Sequence, residues 1–254
     1  MTPIGQKGAL AIYEHKQHDF TTPGGHAMTM EYRTESSDWN TLTAAITEDE
    51  YRLADLDIRG HAVDVGGHLG SVGLGLAIDH PGLTVTIVEP VPDNVDLIHT
   101  NIGLNGLESR VTVLYGAVGP KDRETTRVHY GFRGNESAEH HAFIGNIRFV
   151  MGGSDCPEFT PHEHADVKVF HLEDLLPADF IKIDCEGGEW PFMADAPTDQ
   201  IPMWVGEWHP IPGHNDGARE KGSTQAEFAA LLPAFDITWR GPLEGTQDFW
   251  AVKR

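Results

Sequence analysis

Basic residues are scarce in this sequence: 18 Lys and Arg stand against 39 Asp and Glu in 254 residues, a formal net charge of −21. So acidic a surface repels phosphate backbones and anionic bilayers, which disfavours nucleic acid and membranes as partners. Cysteine is scarcer still. Cys156 and Cys185 are the only two, too few for a disulfide framework, and they read as free thiols in a reducing compartment. No apolar run approaches the roughly 20 residues that cross a bilayer, and residues 1–8 lack the apolar core of a signal peptide. Internal repeats and low-complexity tracts are missing too. The expectation is a soluble, cytoplasmic protein.

What is present is enough for a sizeable core: 39% hydrophobic residues over a length that suits one large α/β domain or two small ones. Residues 1–57 are polar and mixed, and read as an N-terminal extension on the substrate or lid side, with Ser36 or Ser37 capping a helix near residues 39–46. From there a main domain spans 58–254. Strands are expected at 61–65, 84–88, 111–115, 167–171, 180–183 and 203–206. Between them lie a small-residue helix over 70–78 and a helix carrying Val91, Val95, Ile98 and Ile102 on one face, stopped by Asn105-Gly106. Ser223 should cap a helix bearing Phe228, Leu231 and Leu232, and 235–239 with 249–252 should close a terminal hairpin. Residues 119–165 break the rhythm, with Gly131, Gly134, Gly145, Gly152 and Gly153 set among charged residues and histidines, and read as an irregular substrate-side insertion. Alternating strands and helices imply a mostly parallel, doubly wound sheet, the hairpin adding one antiparallel strand at an edge.

The densest chemistry is Val63-Asp64-Val65-Gly66-Gly67-His68-Leu69-Gly70, where an apolar strand ends at an acid and glycines. Such a turn lets the backbone approach a nucleotide-like ligand. Glu89 ends the next apolar run, 19 residues past Gly70, near the spacing at which an acid meets a ribose. Taken singly, Asp64 is a common turn acid and Glu89 a common solvated strand-end acid. The two at this spacing, with glycines between, favour a ligand site. The glycine order is not G-x-G-x-x-G, which argues against a nicotinamide-dependent oxidoreductase.

These residues form part of a larger ordered set. Val63–Gly70 resembles the first motif of class I S-adenosylmethionine-dependent methyltransferases. Glu89-Pro90-Val91-Pro92-Asp93-Asn94 resembles the acidic loop of the FkbM family within that class, and Asn101 through Asn105-Gly106-Leu107 its asparagine-spaced helix end. Leu172-Glu173-Asp174-Leu175-Leu176 followed by Phe180-Ile181-Lys182-Ile183-Asp184-Cys185-Glu186-Gly187-Gly188-Glu189 is similar to its most specific signature. The match runs over about residues 61–209. Gly67 and His68 stand where the family usually has alanine and asparagine, and the extension and the insertion match poorly.

The resemblance implies an α/β, Rossmann-like fold: a doubly wound, mostly parallel seven-stranded sheet with one antiparallel edge strand. It implies S-adenosylmethionine as cofactor, bound by Asp64, Gly66, Gly67, His68, Gly70, Glu89, Pro90, Asn94, Gly116, Ala117 and Asp184. Asp64 and Gly66 would sit by its methionine and ribose portion, Glu89 on the ribose hydroxyls, and Gly116-Ala117 by the adenine edge. The implied reaction is O-methylation of a small-molecule, sugar or natural-product acceptor. A non-catalytic module that binds the cofactor is the reading from a different class.

Candidate catalytic groups gather where open α/β sheets keep them, at carboxyl ends of strands. Lys182 and Asp184 lie two apart on one strand and point to one face; a structural ion pair is the plainer role for Lys182. Glu186 would bind the acceptor or orient a base. Glu189 suits a helix start. His209, just past a strand end, is the leading general base. Asp184 with Glu207 would offer Mg²⁺ hard oxygen ligands, and His162-Glu163-His164 is a weaker cluster for a transition metal. With His140 and His141, those histidines read more simply as surface polar residues. Self-association stays open.

Overall fold

The computed structural model describes residues 13–34, 36–130, 143–144, 163–194, 196–209, 224–241 and 247–254. Strands β1 (His15–Thr21) and β2 (Ala27–Arg33) form an antiparallel hairpin. Helix α1 (Asp38–Leu42) follows, prolonged by a wide turn over Thr43–Thr47. The Ser36 hydroxyl accepts the Asp38 N–H at 3.1 Å, so of the two serines Ser36 serves the helix start.

The main unit alternates β3 (His61–Val65), α2 (Ser71–Asp79), β4 (Thr84–Glu89), α3 (Pro92–Leu104), β5 (Val111–Tyr115) and β6 (Ala117–Val118). After β7 (Thr125–Tyr130), β8 (Phe143–Ile144) and β9 (Glu163–Phe170) come β10 (Phe180–Ile183), α4 (Glu189–Met193), β11 (Met203–Trp208), α5 (Gln225–Ala229), β12 (Phe235–Arg240) and β13 (Gln247–Lys253).

Seven strands make one sheet in the order β12-β13-β11-β10-β3-β4-β5. Five pair in parallel from β11 to β5, while β13 runs antiparallel to both neighbours. The sheet is α/β, doubly wound and mostly parallel. Its antiparallel strand sits one place in from the edge rather than at it, because the β12–β13 hairpin folds back and inserts its second strand against β11.

The sheet is covered on both faces, so its central strands read as apolar runs with period-2 sorting. Ala62, Val85, Ile87, Phe180 and Val205 turn to one core, with Leu74, Leu76, Met28 and Met30. Val63, Val65, Ile181, Ile183, Trp204 and Phe249 turn to the other. Helix α2 is buried from Ser71 to Ala77, and its small residues let it lie close: a Cβ on Gly73 would fall 2.9 Å from the Ile87 side chain. Helix α3 opens with Pro92, whose missing N–H costs nothing at a helix start.

The asparagines at its far end clamp the hairpin. Asn101 accepts the Glu31 N–H at 2.7 Å and donates to the Glu31 carbonyl at 3.2 Å. Asn105 does the same to Thr29, at 3.0 and 2.7 Å. Two side-chain amides thus complete the open edge of β2, and the N-terminal segment is built into the domain. The interval expected to be irregular contains ordered strands: β7 pairs antiparallel with β9 from Thr125↔Lys168 to Tyr130↔Glu163, giving a second sheet β6-β9-β7-β8. The α5 cap is Thr224, which exchanges hydrogen bonds with Glu227; Ser223 lies outside the described residues. Among the described residues no helix is long and apolar enough to cross a membrane.

Candidate active site

The carboxyl ends of β3, β4 and β10 open into one cavity. Gly66, Gly67, His68, Glu89, Pro90, Asn94, Gly116, Ala117, Lys182, Asp184 and Glu186 all line it, though they come from four separate stretches of chain. Asp64, Gly70, Glu207 and His209 do not.

The glycine turn is fixed by geometry that only glycine meets. Gly66 has φ +75°, and a Cβ there would stand 1.7 Å from the Asp184 carbonyl oxygen. Its N–H and that of Gly67 both donate to the Val88 carbonyl, at 3.0 and 3.2 Å. Gly70, φ +85°, turns the chain into α2. Asp64 differs from its expected place beside the ligand. Its side chain leaves β3 on the face covered by α2 and is fully buried, accepting the Gly73 N–H at 2.9 Å. Lys182, its register partner on β10, brings Nζ to 3.3 Å from its other oxygen. Asp64 therefore ties sheet to helix under the glycine turn.

Glu89 ends β4 at the cavity wall, 4% exposed. Oε2 accepts the His68 N–H at 2.9 Å; Oε1 accepts the Val91 N–H at 3.0 Å and the Asn94 amide at 3.1 Å. A positioned carboxylate beside a glycine turn bare of side chains, at the carboxyl ends of parallel strands, fits an adenosyl ligand.

The same cavity has a carboxylate-rich part. Lys182 Nζ donates to the Gly66 carbonyl at 2.8 Å and lies 3.8 Å from Asp184 Oδ2. Burial opposes its charge, but Asp64, Asp184 and Glu50 outweigh it and hold the ammonium above its ordinary value. The Tyr51 hydroxyl donates to Asp184 Oδ2 at 3.1 Å. Glu50 lines the cavity too; burial first, then the Asp184 charge, push its carboxyl up to about 8. Sequence reasoning missed Glu50 and Tyr51. They follow α1 on a stretch bracketed by two non-glycine residues of positive φ, Asp49 at 47° and Arg52 at 53°. The Asp49 carboxylate accepts the Leu53 and Ala54 N–H groups, and Trp250 Nε1 donates to the Tyr51 carbonyl at 2.8 Å. No local pattern announces such a turn.

His209 stands behind the cavity lining with its ring set among carboxylates. Nδ1 meets the buried Glu189, and Nε2 faces Glu207 at 3.3 Å, Glu186 at 3.6 Å and Asp184 at 4.0 Å. Burial works against the imidazolium, yet these carboxylates raise it well above the ordinary histidine value. Burial and Asp184 also raise Glu207. Ligand atoms of Asp184, Glu207 and His209 come within 4.8 Å of one another. Their spacing could hold a metal ion, with Asp184 and Glu207 offering the hard oxygens that Mg²⁺ prefers and His209 a nitrogen once its proton is displaced. His140, His141 and His162 lie outside the described residues, and His164 is exposed on β9.

A methyltransferase FkbM domain matches residues 64–235, more than half of the chain. No curated protein matches. Among solved structures the chain is similar to a precorrin-6y C5,15-methyltransferase from Geobacter metallireducens GS-15, at 13% identity over 87% of this chain and 92% of that one, TM-score 0.44. An O-methyltransferase family protein from Burkholderia thailandensis gives 11% over 85% and 58%, TM-score 0.45. The O-methyltransferase from Bacillus cereus in complex with SAH gives 16% over 76% and 74%, TM-score 0.41. With the family match spanning the glycine turn, Glu89 and the acids that follow β10, this chain belongs to the FkbM-domain methyltransferases, enzymes that take their methyl group from S-adenosylmethionine.

Proposed function

We propose that the protein methylates a hydroxyl of a small-molecule, sugar or natural-product acceptor. The observation that carries this reading is a single cavity lined by Glu89 together with Glu50, Tyr51, Lys182 and Asp184. S-adenosylmethionine supplies a methyl group already activated by the sulfonium charge. The protein must then align the acceptor and remove its proton.

In this reading Glu89 takes the ribose hydroxyls, and the Gly66-Gly67 turn lets the ligand approach the backbone. Gly116 and Ala117 border the adenine. Asp184, steadied by Tyr51 and Lys182, accepts a hydrogen bond from the acceptor, and Glu50 accepts the proton as the C–O bond forms. Its raised carboxyl makes it a stronger base than an exposed glutamate. His209, as a cation among Glu186, Glu189 and Glu207, keeps that cluster from carrying uncompensated charge.

Transfer to an amine nitrogen is a second reading. It is favoured by the lining itself, where Glu50, Asp184 and Glu186 face a lysine already paired with Asp64. The test uses ¹³C-methyl S-adenosylmethionine with a panel of hydroxyl and amine acceptors. An O–CH₃ resonance on product supports the proposal; an N–CH₃ resonance alone replaces it with the second reading. Absence of any product, with S-adenosylhomocysteine still bound, would point to a binding module.

A further inference from the structure

Five residues from three separate stretches of chain close a circuit around the Glu89 carboxylate. The His68 N–H holds Oε2 at 2.9 Å, and its imidazole Nε2 lies 3.4 Å from Asp38 Oδ1. Asp38 receives three N–H groups of Arg33: the peptide at 2.9 Å, Nε at 2.8 Å and Nη2 at 3.0 Å. The same Nη2 donates to Asn94 Oδ1 at 2.7 Å, and the Asn94 amide returns to Glu89 Oε1 at 3.1 Å. Asp38 is 0% and Arg33 3% exposed, and neither lines the cavity.

Each link has a directional consequence. The Asn94 side chain presents an oxygen at one corner and an NH₂ at the other. With Arg33 donating to the oxygen, the NH₂ is held facing Glu89; without Arg33 the amide loses that anchor and can swing away from the carboxylate. His68 holds φ +50°, a left-handed conformation uncommon for a residue with a side chain, and that conformation aims its N–H at Oε2. Contact between its imidazole and Asp38 opposes relaxation. Asp38 remains an anion: burial opposes this, but His68 and Arg33 outweigh it and keep the carboxyl below its ordinary value.

We propose that Arg33 and Asp38 are positioning residues for the cofactor site, acting through Asn94 and His68 to hold the Glu89 carboxylate toward the ribose hydroxyls. The inference rests on Glu89 being the ribose ligand. It gives the N-terminal segment a part in donor recognition, although that segment lies outside the family match.

A buried ion pair that merely anchored the hairpin would also destabilise the fold when cut. The discriminating readout is therefore affinity for S-adenosylhomocysteine relative to its 2′-deoxy analogue, measured calorimetrically on folded protein. Wild type should prefer the hydroxyl-bearing ligand by about 10-fold or more, as a hydrogen bond to a charged group implies. In Asp38→Asn the preference should shrink to within about 3-fold. An unchanged ratio in folded Asp38→Asn overturns the proposal. Should that variant not fold, His68→Asn decides: asparagine tolerates the left-handed backbone, keeps the N–H and loses the imidazole. A wild-type ratio there is equally fatal. If wild type itself shows no preference, Glu89 is not the ribose ligand, and the failure lies in that premise.

Discussion

At the scale of single residues, two acids of the cavity differ in how their charges are set. Glu89 works by hydrogen-bonded placement, so Glu89→Gln, which keeps the shape but turns one acceptor into a donor, should weaken S-adenosylhomocysteine binding by about 10-fold or more; a thermal-shift titration checks it. Glu50 works by desolvation. Its folded value of about 8 lies above the ordinary 4.5, so between those pH values the native state holds a proton that the unfolded chain has released. Stability from this group is fully present below about pH 4.5 and is lost as pH rises through 8. Glu50→Gln removes that dependence, and its Tm should gain about 3 °C on wild type between pH 6 and pH 9. If Glu50 is the base, the same variant should lower kcat by about 10²-fold and abolish the rise of rate through pH 8. Of these two acids only Glu89 was legible in the sequence, because it ends an apolar strand at a ribose spacing. Glu50 becomes a site residue through a turn with two left-handed non-glycine residues, which nothing in local composition encodes.

At the scale of elements, the most demanding junction is the turn from β3 to α2. Gly66→Ala would place a methyl group 1.7 Å from the Asp184 carbonyl oxygen on a backbone already at φ +75°. The expected result is loss of soluble folded protein, or destabilisation beyond about 4 kcal/mol, read by urea unfolding. The α3 clamp is a gentler test. Asn105→Ala strands the Thr29 N–H and carbonyl, costing about 2 kcal/mol and roughly 4–8 °C in Tm. The asparagine spacing was visible in sequence as a helix-end pattern, but its partner was not: β2 lies 70 to 76 residues away in the chain. Alternating strands and helices foretold the parallel sheet, since burial on both faces demands apolar runs. The same reasoning left 119–165 irregular, although β7 and β9 find each other across the sequence between them.

At the scale of the whole molecule, the net charge of −21 sets a self-repulsion that no local pairing removes. Screening should therefore help the fold: raising NaCl from 10 to 500 mM should lift Tm by about 3 °C or more, as differential scanning fluorimetry would show. A flat response would mean that the surface carboxylates are spaced beyond mutual reach. What the chain by itself determined is the sheet, the glycine turn and the acid that ends β4, because strand burial, positive φ and a strand-end position all follow from residues close in sequence. What only the tertiary structure decided is where charge goes. Register placed Lys182 beside Asp64 and drew that aspartate under the turn, folding closed the cavity with Glu50 and Tyr51, and carboxylates that follow β10 or lie on α4 and β11 gathered around His209 and favour its charged form, since electrostatics acts through space and is blind to order along the chain.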